Sequence, residues 1–124
     1  MIIWILTTTG FYSVVEKHED RERGTLTIRA RVRADLERLS AYVPDMSAII
    51  ESHDSDYRFR AVADRTAVSE ALAKLVADID YDNFKNEVAS RQGYQRASVY
   101  GQVWHKLYDL QNGRFEEPPE LRML

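Results

Sequence analysis

The sequence predicts an α+β domain: an antiparallel sheet of four to five strands with helices packed on one face, a ferredoxin-like arrangement being one candidate, and a long helix near the C-terminal end. Three observations predict it. Residues 25–33 alternate strictly, with Leu26, Ile28, Ala30 and Val32 on one side and Thr25, Thr27, Arg29, Arg31 and Arg33 on the other. That period of two marks a strand with one face on a core and the other in water. Helical spacing dominates the second half instead, where Ala67, Val68, Ala71, Leu72, Leu75, Val76 and Ile79 recur at i, i+3 and i+4. The strand–strand–helix order also occurs twice, over 11–43 and 48–79. This grouping fits α+β better than a doubly wound parallel sheet.

Residues 2–7 form a short apolar run and read as a buried strand, closed by a turn at Thr8-Thr9-Gly10. From Phe11 to Lys17 the chain alternates again, with Phe11, Ser13 and Val15 on one side and Tyr12, Val14 and Glu16 on the other. The stretch 18–24, His-Glu-Asp-Arg-Glu-Arg-Gly, reads as a charged loop. After the strand 25–33 a helix is expected over 34–42, on Leu36 and Leu39, and Pro44 stops it. Strands near 48–52 and 57–63 flank a polar turn at 53–56. In the second of them Arg58, Arg60 and Val62 share a face. The stripe 67–79 is a helix with Asp64 or Thr66 as its cap. Shorter and longer helices over 84–90 and 95–111 follow, separated by Gly93. Residues 1–113 are expected to form a single domain, and 114–124, with Pro118-Pro119, an extended tail.

Composition sets the bounds. With 124 residues, 44% hydrophobic and 30% charged, one domain of this size buries roughly two-thirds of its unfolded surface. A net charge of −3 excludes the strongly basic balance of a DNA-coating protein, though not a local basic patch. Zero cysteines remove disulfides, thiol catalysis and thiolate-bound metals. No run approaches the ~18 apolar residues of a membrane span, so no membrane partner is expected. The opening run lacks a basic region and reads as a strand rather than a leader, so the expected compartment is the cytoplasm.

Four blocks, Trp4-Ile5-Leu6-Thr7-Thr8-Thr9-Gly10-Phe11-Tyr12-Ser13-Val14-Val15, Ile28-Arg29-Ala30-Arg31, 79–85 (Ile-Asp-Tyr-Asp-Asn-Phe-Lys) and Arg91-Gln92-Gly93 with Tyr100 and Val103-Trp104, give the chain a family likeness. It resembles a family of small, uncharacterised bacterial and phage proteins that open with a W-x-x-T-x-x-G-F-Y-S-V-V-like run. The likeness spans most of the chain, to about Leu110. It brings no activity and therefore no catalytic residue to transfer.

The strongest functional signal is the pair of arginine-bearing strands. Arg29, Arg31 and Arg33 recur every second residue in a stretch without acids, and Arg58 and Arg60 do so in another. Thirteen of the 17 basic residues are arginine, whose planar fork fits phosphate or carboxylate through two hydrogen bonds. If both strands share a sheet, such a face suits an acidic macromolecule, a nucleic acid or an acidic protein surface, with Tyr12 available to stack on a base. The plainer expectation is a solvated face neutralised by Glu16, Glu51 or Asp64. On the last helix Tyr100, Trp104 and Tyr108 line one edge. They are expected either to pack inside the domain or to form a homodimer or partner interface.

Other chemistry finds little support. The run 78–83 places carboxylates as a calcium loop does, but Asn83 stands where the loop needs Gly and Ala89 where it needs Glu, so no metal and no cofactor are expected. His53, with Asp54 and Asp56, reads as turn chemistry because nothing places a nucleophile beside it. Thr7-Thr8-Thr9-Gly10 lacks the spacing of a phosphate loop. Enzyme signatures are close to absent, and a binding protein is the expectation.

Overall fold

A computed structural model describes residues 2–114. The expected tail, 114–124, lies outside the described residues except for Arg114. Two compact units divide at Phe84 and Lys85.

The first unit is built on a five-stranded antiparallel sheet, in the order β1-β2-β3-β5-β4. Its strands are β1 (Ile2–Leu6), β2 (Phe11–Val15), β3 (Thr25–Ala30), β4 (Ile50–Glu51) and β5 (Phe59–Asp64). Helix α1 (His18–Arg23) joins β2 to β3, α2 (Arg33–Ser40) follows β3, and α3 (Arg65–Ala77) follows β5. The α+β architecture therefore stands. Its chain starts as a meander rather than in the β-α-β-β-α-β order of a ferredoxin-like fold.

One face of the sheet carries the core. Tyr12 and Val14 of β2, Ile28 and Ala30 of β3, and Phe59 and Ala63 of β5 pack with Leu36 and Leu39 of α2, Val43, and Val68 and Ala71 of α3. Ile28 and Leu36 are fully buried, and each such side chain contributes about 1.5–3 kcal/mol by leaving water. The register follows from that burial, because slipping any strand by one residue would turn its apolar set to the opposite face.

Four expectations are corrected by this arrangement. β1 is an edge strand, with Ile2, Ile3 and Trp4 all more than half exposed, because only β2 pairs with it. The segment read as a charged loop is α1, a single polar turn-and-a-half that has no apolar stripe to announce it. β3 stops at Ala30, so Arg33 opens α2 and forms an i,i+4 pair with Glu37 at 3.2 Å. α3 starts two residues earlier than its stripe, and its boundary residue Asp64 makes no side-chain cap. Ser47 extends the β5 edge instead: its Oγ accepts the Val62 N–H at 2.8 Å, and its N–H donates to the Val62 carbonyl at 2.9 Å.

Two buried carboxylates fix the connections. Asp35 of α2 staples the β1–β2 turn: its Oδ2 accepts the Phe11 N–H at 3.0 Å and its Oδ1 the Arg38 Nη2 at 2.6 Å. Arg38 Nε in turn donates to the Thr9 carbonyl at 2.6 Å. Gly10 sits so close that a Cβ there would lie 2.5 Å from Asp35 Cγ, which is why the turn ends in glycine. On the opposite face Asp20 of α1 accepts from Lys17 N–H at 2.8 Å, Thr25 Oγ1 at 2.6 Å and Thr27 Oγ1 at 2.9 Å. Gly24, at φ +67°, ends α1 in the left-handed conformation that only glycine adopts without strain.

The second unit comprises most of α4 (Phe84–Gln92), and α5 (Tyr94–Gln111), with Gly93 at φ 94° between them. Val88, Ala97 and Tyr100 are buried in it. Among the described residues no helix is long and apolar enough to cross a membrane.

Candidate functional site

The cross-strand register places the arginine-bearing strands side by side. Trp4 stands opposite Ser13, Ser13 opposite Arg29, Arg29 opposite Arg60, and Arg60 opposite Ile50. These five residues make one row across all five strands, on the face turned away from α2 and α3. With neighbouring strands ~4.8 Å apart, the row is about 19 Å long.

Arg29 and Arg60 form its centre, two like charges on directly opposed positions. Arg29 Nη2 donates to Ser13 Oγ at 2.8 Å. Arg60 Nη2 donates to Ser55 Oγ at 2.8 Å. The Nε of each is buried without an acceptor. Tyr57, 3% exposed, lies beside them in the loop before β5, with the guanidinium carbons of Arg29 and Arg31 at 4.6 and 4.3 Å from its ring centroid. Its hydroxyl is also buried and without a partner. Arg31 Nη1 donates to the backbone carbonyl of Asp56 at 2.7 Å rather than to a carboxylate. Arg58 is exposed, two residues before Arg60.

The neutralising partners expected from the sequence do not reach these arginines. Glu16 pairs with Arg21 at 3.2 Å and with Arg65. Glu51 faces His53 Nε2 at 3.3 Å. Asp64 stands opposite Thr25. Among the described residues no carboxylate pairs with Arg29, Arg31, Arg58 or Arg60.

Two of the sequence candidates lie elsewhere. Arg33 belongs to α2. Tyr12 is 1% exposed in the core, its hydroxyl donating to the Asp35 carbonyl at 2.7 Å and lying 3.0 Å from Thr9 Oγ1. The alternation of β2 offers an aromatic and a valine on both sides, and Tyr12 goes inward because a partner for its hydroxyl exists there. The aromatics on the arginine face are instead Trp4, 67% exposed, and Phe11, whose rings meet edge-on at 6.1 Å and 79°. The parity of Trp4 with Leu6, and of Phe11 with Ser13, held that signal, but the sequence left open which parity faces out.

On α5, Tyr100 is buried with the Arg96 guanidinium 5.8 Å from its ring centroid. Trp104 and Tyr108 are exposed and stack at 5.1 Å with 9° between their planes. Val99, Leu107 and Leu110 beside them are more than half exposed.

In the first unit a cleft of ≈ 330 Å³ opens between the end of β1 and the C-terminal half of α3, lined by Ile5, Leu6, Thr7, Leu72, Val76 and Ile79 among others. The tyrosine of its lining, Tyr81, is the one titratable group there. Among the described residues no three His, Asp or Glu side chains converge as metal ligands.

The Asp20 carboxyl has a displaced titration. Burial pushes its carboxyl up, but hydrogen bonds from Thr25, Lys17 N–H and Thr27, with the Lys17 charge, outweigh that and hold it below the usual carboxylate range.

No family model, no curated protein and no solved structure matches this chain.

Proposed function

We propose that this protein is a binding module that engages an acidic macromolecule through the second face of its sheet, with Arg29, Arg31, Arg58 and Arg60 as its contacts. The observation that carries the proposal is the cross-strand Arg29–Arg60 pair, left without a carboxylate. Like charges directly opposed in a sheet are destabilising, and buried N–H donors without acceptors add to that cost. An oxyanion bridging the two guanidiniums relieves the repulsion. A chain without cysteine acting in the cytoplasm fits the same picture.

The experiment is a titration of fluorescein-labelled polyanions, a short oligothymidine and a polyglutamate, followed by anisotropy. At least one is expected to bind, and contact with four phosphates on a single strand weakens binding roughly 50-fold between ~50 and ~200 mM salt. Replacing Arg29, Arg31, Arg58 and Arg60 together with Gln is expected to abolish binding while the protein still melts cooperatively, at no lower temperature than the wild type, by circular dichroism. Unchanged affinity in that variant overturns the proposal.

A second reading draws on α5, where the stacked Trp104 and Tyr108 lie exposed with Leu107 and Leu110. A face of this kind suits self-association with a second copy of the chain. Light scattering of the Trp104→Ala/Leu107→Ala variant tests it: a dimer that becomes a monomer supports this reading, and a wild-type monomer at high concentration removes it.

A further inference from the structure

Resting on the arginine-face proposal, we infer that the acidic partner is single-stranded nucleic acid, with a base lying on Trp4 and the adjoining phosphates on Arg29 and Arg60. The register is the ground for it. Trp4 and Arg29 are two strand steps apart in the same row, ~10 Å, and Arg60 is one step further. An aromatic platform therefore stands within a few nucleotides' reach of unneutralised cations on one surface.

The Trp4 ring suits a platform. It is 67% exposed, on an edge strand, and Phe11 meets it edge-on at 79°. An edge-to-face contact covers at most one face of the indole, and the ring's exposure leaves surface for a planar ligand. Phe11 and Ile50 add apolar surface towards the two ends of the row, and Arg29 and Arg31 already stack on Tyr57.

Three other partners fit this surface less well. An acidic protein offers carboxylates to the arginines, but it does not repeat a flat ring and an anion together at a fixed short interval, as a nucleotide does. A duplex offers phosphates but keeps its bases stacked on each other, whereas an unpaired strand exposes both groups at short intervals. A second copy of this face would set Arg29 and Arg60 against their own counterparts, crowding like charges into one contact.

The test uses the Trp104→Phe protein, which leaves Trp4 as the sole tryptophan. It is titrated with oligothymidine, oligouridine, a blunt duplex of equal length, and polyglutamate. Stacking is expected to quench Trp4 emission on either single strand, with affinity at least tenfold above the duplex. Trp4→Ala is expected to weaken single-strand binding by about tenfold to a hundredfold, the contribution of one stacked base, while Trp4→Phe retains most of it. Trp4 is exposed, so both variants should melt as the parent does, and the melt is measured alongside. Polyglutamate bound as tightly as the single strands, or binding indifferent to Trp4→Ala, overturns this inference and leaves the arginine-face proposal standing. A duplex bound equally well also overturns it. Failure of every polyanion at ~50 mM salt, where phosphate contacts are strong, overturns the arginine-face proposal itself.

Discussion

On one face of the sheet Ile28 and Ala61 stand opposite each other, both fully buried. One residue further along the same two strands, Arg29 and Arg60 stand opposite each other, half-buried and without a carboxylate. The same backbone thus presents two surfaces governed by different physics. The first is held by apolar burial against α2 and α3. The second is held at one end by Asp20, which ties α1 onto Thr25 and Thr27, and is left electrostatically unsatisfied at its centre. A face built for stability removes its charges or pairs them, so an unpaired pair of guanidiniums is a place where stability has been given up.

Substitutions can break that contrast, and the largest effect belongs to the core face. Leu36→Ala removes a fully buried side chain and should cost about 3 kcal/mol, within the 2–5 range of such truncations, read as a lower denaturation midpoint. A cost under ~1 kcal/mol would show that α2 does not seal this face.

Asp20→Ala should cost about 2–3 kcal/mol, because three donors lose a charged acceptor and Thr27 is left buried without it. This variant also sharpens the comparison through pH. The Asp20 carboxyl is held low in the folded chain, so its contribution is fully present above its unfolded value of ~4 and is lost as pH falls through the lower folded value. Urea melts across the acid range should show the wild type losing stability there more steeply than Asp20→Ala. Parallel acid limbs would remove Asp20 as the tie.

Gly10→Ala follows, at about 1–3 kcal/mol, since the new methyl meets a carboxylate that Phe11 and Arg38 hold in place. The Asp35→Ala background should absorb only part of that cost, because the Cβ at position 35 stays 2.7 Å from the new methyl, and full additivity of the two in a thermal melt would refute the clash with the carboxylate.

The smallest effect is the most telling. In a cycle of Arg29→Gln and Arg60→Gln, each single change relieves the same repulsion, so the double variant gains less than the sum. The coupling should be ~0.2–1 kcal/mol, unfavourable in the wild type, and should fade in high salt. A favourable coupling would mean that the pair is neutralised in solution.

Much of this was legible in the residues. The alternation of 25–30 and the stripe from Ala67 to Leu75 placed β3 and α3 on the core, and Val76 and Ile79, at the end of the stripe, line the cleft beside β1. α1 was not legible as a helix, because its one buried side chain, Asp20, is polar. Its other signals were nonetheless present: Glu19 and Asp20 in the first turn, Arg21 and Arg23 in the last, and Gly24 as the cap. The candidate face was half legible. Arg29 and Arg60 could be named, but Trp4 and Phe11 were missed in favour of Tyr12.

By itself, then, the sequence determined the class of fold, the strand that carries the core and the arginines that oppose it, since hydrophobic period is a local property of consecutive side chains. Only the tertiary structure decided which strands are neighbours, and that made Arg29 and Arg60 a pair. It also decided which parity of β2 turns inward, through a hydrogen bond from the Tyr12 hydroxyl to the backbone of Asp35, 23 residues away. Finally, it decided that Glu16, Glu51 and Asp64 leave the strand arginines unneutralised. Each of these is a pairing between distant parts of the chain, and a pairing is set by geometry that no window of neighbouring residues contains.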